Sequence, residues 1–173
     1  MTMRGLIRGT LVAWVLVTGG VLAMRRYFGA VPDCGAVVGA VIVVDASAHR
    51  MALCRAGKVE GSFRVRIGSA GTGKAREGDE KTPLGRYPLG APTPSRTFHV
   101  FIPIGYPTSE QRAQGLTGSA VGIHGPHRRV RWLGPLVNLR DTTDGCVGVA
   151  TDEEIDRVAV WVRGAPGVGV EVR

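Results

Sequence analysis

Cysteine is scarce in this chain: Cys34, Cys54 and Cys146 are the only three among 173 residues. No two of them form a Cys-x-x-Cys pair, which removes the motif of a thiol–disulfide oxidoreductase. Among the three cysteines and four histidines only His124 and His127 show the close pairing of zinc ligands, so a zinc site is a poor fit. The chain also lacks an RNP-like or helix-turn-helix signature to accompany its net charge of +8 and pI near 10.2. Its arginines are scattered (Arg50, Arg55, Arg64, Arg66, Arg76), so no nucleic-acid partner is expected, and an anionic cell-wall or membrane surface accounts for the sign of the charge. Internal repeats, a low-complexity tail and a second domain are likewise missing.

What is present begins with a charge-free run, Gly9 to Met24, flanked by Arg4 and Arg8 before it and Arg25 and Arg26 after it. Its 16 residues fall short of the roughly 20 of a comfortable span and slightly exceed the usual apolar stretch of a cleaved signal peptide. Val21-Leu22-Ala23 has the spacing of a cleavage site, but two arginines directly behind it suit a stop to an anchor. Residues 1–30 are therefore expected to be a signal anchor or signal peptide that attaches the chain to a membrane. The flanking charges are nearly balanced, so orientation has to come from function.

Residues 31–173 read as one mostly-β domain. Short runs rich in β-formers alternate with Gly and Pro turns. In "RMALCRAGKVEGSFRVRIG", Met51, Leu53, Phe63, Val65 and Ile67 alternate with polar residues on either side of Ala56-Gly57-Lys58, the pattern of a hairpin with one buried face. A single helical signature stands near the C-terminus. Thr151 or Asp152 is the N-cap, Glu153 and Glu154 fill the first turn, and Ile155, Val158, Ala159 and Val162 form one face. Two long polar stretches, Gly71 to Gly85 and Gly105 to Gly118, are expected as loops that can carry substrate contacts.

Cys146, in "TDGCVGV", sits between glycines 145 and 148 that let a substrate approach the backbone closely. A catalytic thiol needs a base or cation, partial exposure and donors for an oxyanion. For the base, His124 ends a strand-like run in "VGIHG", with His127 as its rival; His99 reads as a structural strand side chain and His49 as a turn residue. The bland alternative for Cys146 is a small buried apolar side chain.

These residues resemble the YkuD-type L,D-transpeptidases, cysteine enzymes of bacterial peptidoglycan. The resemblance lies in "IHG" (His124, Gly125), in "TDGCV" (Thr143, Asp144, Gly145, Cys146, Val147) after an 18-residue spacer, and in "EGDEKTPLGRYPL", Glu77 to Leu89. "IGYPTSEQRAQGLTGSAVGIHG" is similar to the YafK-like branch. The resemblance implies a β-sandwich-like catalytic domain with one short C-terminal helix, Cys146 as nucleophile, His124 as base, the Gly125 carbonyl as orienter of its ring, and no cofactor. Gly145, Asp144, Thr143 and Arg140 are then expected around the substrate and the oxyanion. Two positions depart from the family pattern: Asp144 replaces a frequent histidine, and Gly148 stands where an arginine often follows the cysteine. A carboxylate beside Cys146 opposes thiolate formation unless Arg140 or protonated His124 offsets it.

Implied with the family are peptidoglycan stem peptides as substrate, ping-pong acyl transfer through a thioester, and a catalytic domain outside the cytoplasmic membrane. The YafK-like branch makes an amidase acting on stem peptides or wall-linked lipoprotein the alternative, and an idle-cysteine wall-binding module is the non-enzymatic one. In an extracytoplasmic compartment, three cysteines leave one unpaired if two bridge, so Cys34 and Cys54 are expected as a disulfide with Cys146 free.

Overall fold

The computed structural model describes residues 29–173; the expected signal anchor or signal peptide, residues 1–30, lies outside the described residues except for its last two positions. Among the described residues no helix is long and apolar enough to cross a membrane.

Among the described residues nine strands form two sheets. The five-stranded sheet runs in the order β3-β2-β1-β9-β4, made of β1 (Ala40–Asp45), β2 (Arg50–Arg55), β3 (Lys58–Arg64), β4 (Gly85–Pro88) and β9 (Gly169–Val172). The four-stranded sheet runs β5-β6-β7-β8, from β5 (Thr93–Ser95), β6 (His99–Pro103), β7 (Gly122–His124) and β8 (Val147–Gly148). Two pairs are parallel, β1 with β9 and β7 with β8, and the others are antiparallel.

The expected hairpin is β2–β3, turning at Ala56-Gly57, with Met51 opposite Phe63 and a register shift at Leu53/Cys54. Period-two alternation puts Ile42, Val44, Met51, Leu53, Phe63, Val170 and Val172 on the inner face of this sheet. They share one core with Ile102, Ile123, Val147 and Val149 of the second sheet region. The C-terminal helix α2 (Asp152–Arg163) adds Ile155, Val158, Ala159 and Val162 to the same core. Its N-cap is Thr151, whose hydroxyl accepts from the Glu154 N–H while the Glu154 carboxylate accepts from the Thr151 N–H.

Two helical pieces were not anticipated. A five-residue helix α1 (Ser109–Ala113) starts at Thr108 with its own capping box to Gln111. A kinked 3-10 segment, Arg131–Leu139, occupies the spacer between His124 and Cys146; it bends at Gly134, just ahead of Pro135. On the outer face of the five-stranded sheet Cys34 and Cys54 are joined by a disulfide and pack with Val43 and Ala52, and Cys146 is the free thiol.

Candidate active site

β7 and β8 are parallel neighbours in which Ile123 faces Val147 and His124 faces Gly148. That register brings the residue before β8, Cys146, to the same strand ends as His124. Both side chains line one cleft of about 530 Å³, together with Arg66, Phe98, His127, Leu133, Val137, Thr143 and Asp144. The cleft wall of Leu133 and Val137 comes from the 3-10 segment.

The loop before Cys146 is held tightly. Thr143 Oγ1 donates to the Cys146 carbonyl at 2.6 Å and accepts from the Gly145 N–H at 3.3 Å. Gly145 has φ +119°, and a Cβ there would lie 2.5 Å from the Lys81 carbonyl oxygen, so only glycine fits. Asp144 is exposed at the cleft rim, and Arg140 is exposed and does not line the cleft.

His124 is buried, its ring 4.0 Å from that of Phe98. Its Nδ1 lies 2.6 Å from the Gly125 carbonyl oxygen. A carbonyl only accepts, so Nδ1 carries the hydrogen and Nε2 is left with its lone pair. Burial draws the imidazole down to about 4 against the opposing pull of the Gly125 carbonyl, and the charges of Arg66 and His127 push the same way as burial. His127 also lines the cleft, but its Nδ1 accepts from the Arg129 N–H at 3.1 Å. The remaining two histidines bind carboxylates elsewhere, His49 to Asp141 and His99 to Asp156, each at 3.0 Å.

The Cys146 thiol donates to the Ala120 carbonyl at 3.5 Å. Burial raises its pKa and Asp144 adds to the rise, while the Gly122 N–H, Lys74 and Arg66 act against it. At neutral pH the resting pair is therefore thiol and neutral imidazole, an arrangement suited to general-base deprotonation as the substrate arrives.

Two cations that reading the sequence passed over stand close by. Lys74, from the Gly71–Gly85 stretch, is buried and paired with Asp79 at 2.9 Å. Arg66, just after β3, is only 4% exposed. Its Nη1 donates to Asn138 Oδ1 at 3.0 Å and to the Val149 carbonyl at 2.9 Å, and its Nη2 to the Gly125 carbonyl at 3.4 Å. The guanidinium lies over Gly148, where a Cβ would stand 2.6 Å from Arg66 Cζ. Lys74 had a legible signal in the Gly-Lys-x-x-x-Gly-Asp run that the resemblance adjoins; Arg66 had none.

Known proteins share this architecture. The helical cell shape determining protein Pgp2 from Campylobacter jejuni matches with a TM-score of 0.64 and 20% identity, over 90% of this chain and 55% of its own. Bd1075 from Bdellovibrio bacteriovorus matches at TM-score 0.57 and 21% identity, over 80% and 49% of the two chains. An L,D-transpeptidase from Stackebrandtia nassauensis matches at 0.55 and 15%, over 88% and 64%. The chain thus spans about half the length of the first two. Among curated proteins none matches the sequence. Residues 39–172 match the YkuD family, described as the L,D-transpeptidase catalytic domain. With that match running from β1 to β9 and including both His124 and Cys146, the chain belongs to the YkuD family of L,D-transpeptidase catalytic domains.

Proposed function

We propose that this chain is a cysteine-dependent acyltransferase acting on peptidoglycan stem peptides. The observation that carries the reading is the shared cleft of Cys146 and His124, with the His124 ring held so that Nε2 is the open proton acceptor.

In the first half-reaction Nε2 takes the thiol proton as Sγ attacks the carbonyl of the third stem residue. The tetrahedral intermediate collapses to a thioester, and the departing amine of D-alanine leaves with the proton from Nε2. In the second half-reaction an acceptor amine, from the side chain of a diamino acid on another stem, gives a proton to Nε2 and attacks the thioester. The new amide forms and the thiol regains its proton. Water as acceptor gives the free tripeptide instead, the outcome expected of an amidase on the same residues.

Family membership supports the substrate class, and likeness to a protein described as determining helical cell shape supports a role in wall remodelling. The Cys34–Cys54 disulfide and the charge-free run at Gly9–Met24 support a catalytic domain anchored outside the cytoplasmic membrane.

The test is intact mass of the chain incubated with a tetrapeptide-stem muropeptide, beside Cys146→Ala, with products separated by chromatography. An acyl adduct on Cys146 and released D-alanine are expected. Dimeric muropeptide identifies the transferase and free tripeptide the hydrolase. Absence of adduct and product alike would leave the wall-binding reading standing.

A further inference from the structure

The two cations near Cys146 are treated differently by the fold. Lys74 is answered by Asp79. Arg66 is as deeply buried, yet among the described residues every acceptor it reaches is neutral: the Asn138 side-chain amide and the carbonyls of Val149 and Gly125. A buried guanidinium without a carboxylate is costly to keep, and the cleft into which it faces holds the thiol and the imidazole.

Its placement also ties it to both. The Gly125 carbonyl accepts from Arg66 Nη2 on one side and from His124 Nδ1 on the other. The strand bridge between Arg66 and Gly148 sets the guanidinium against the backbone two residues after the nucleophile, in space that only a glycine leaves open.

We propose that Arg66 is the positioning cation of this site. Its guanidinium stabilises the negative charge that develops on the Cys146 side of the cleft and, through the shared Gly125 carbonyl, keeps His124 with Nε2 as acceptor. The inference rests on Cys146 and His124 being nucleophile and base. The charged and titratable groups facing Cys146 are Arg66, Lys74, Asp144 and His124, and those facing His124 are Cys146, Arg66 and His127. Burial draws the Arg66 guanidinium down to about 10, so it remains charged at neutral pH, and negative charge on Cys146 acts to hold its proton.

The experiment follows the pH dependence of Cys146 alkylation by iodoacetamide in the full chain, in wild type, Arg66→Met and Arg66→Lys. Alkylation requires no acyl donor, so it reads Arg66 whether or not the stem-peptide substrate is right. The expected result is a midpoint raised by about one pH unit in Arg66→Met and by less in Arg66→Lys, with the His124 imidazole titrating at higher pH in both. With stem peptide, kcat in Arg66→Met falls by roughly 100-fold while KM changes little. Midpoints unchanged from wild type would overturn the proposal. So would a raised KM at constant kcat, which belongs to a substrate-binding side chain, or the loss of native near-ultraviolet circular dichroism in both variants, which belongs to a purely structural one.

Discussion

At the scale of single residues, the site keeps a neutral imidazole where water would leave it partly charged. His124 titrates near 6.5 in an unfolded chain and at about 4 in the fold, with burial the leading cause. Between those values the unfolded state binds more protons, so native stability falls as pH falls from about 6.5 towards 4. Replacing His124 by Gln removes this contribution. Urea unfolding of the two proteins is expected to show wild type losing stability faster over that window, by up to ~1.4 kcal/mol per pH unit. Parallel curves would show that His124 protonates in the fold without penalty. His124 and Cys146 were legible as candidates from the glycines around each, with His127 left as a rival base, and the family resemblance is what singled the pair out. Arg66 was not. The alternation Phe63, Val65, Ile67 puts it on the opposite face of the strand, which in a two-stranded hairpin means solvent. Here Asn138, Gly125 and Val149 cover that face, and nothing in the local sequence announces the cover.

Among the elements, α2 was the most legible because its start and its buried face are both written locally. It also supports the site: a Cβ on Gly125 would meet Ile155 Cγ2 at 2.9 Å, so the helix packs directly beneath the residue that orients His124. Thr151→Ala breaks one half of the capping box, leaving the Glu154 N–H without its side-chain acceptor. The expected cost is ~1 kcal/mol in denaturant midpoint at constant m-value, with thiol alkylation of the folded protein unchanged. A changed alkylation rate would mean that the helix start governs Cys146 as well as stability. The 3-10 segment Arg131–Leu139 was legible only as a long spacer. Its residues lack a uniform period, since Gly134 and Pro135 break it in the middle, and its inward side chains Leu133 and Val137 are defined by the cleft they wall rather than by the chain they belong to.

On the scale of the whole molecule, the chain separates covalent reinforcement from chemistry. The disulfide lies with Val43 and Ala52 on the outer face of the five-stranded sheet, whereas Ile42 and Val44 on the same strand point inward to the core that carries the second sheet. The cleft opens at β7 and β8 of that second sheet. Cross-linking Cys34 to Cys54 closes a loop across a sequence separation of 20 and restricts the unfolded chain more than it alters the folded one. Reduction is therefore expected to lower unfolding stability by about 3 kcal/mol. Each molecule that remains folded should keep the wild-type pH dependence of Cys146 alkylation, because β1 and the core stand between the bridge and the thiol. Denaturant unfolding with and without a phosphine reductant measures the first effect, and alkylation well below the reduced midpoint measures the second. A stability loss under ~1 kcal/mol would mean that the apolar cluster around the bridge holds the sheet unaided. An altered alkylation profile in the reduced, folded protein would mean instead that strain at the outer face reaches the cleft through the strands, and that the two faces of this small domain are coupled.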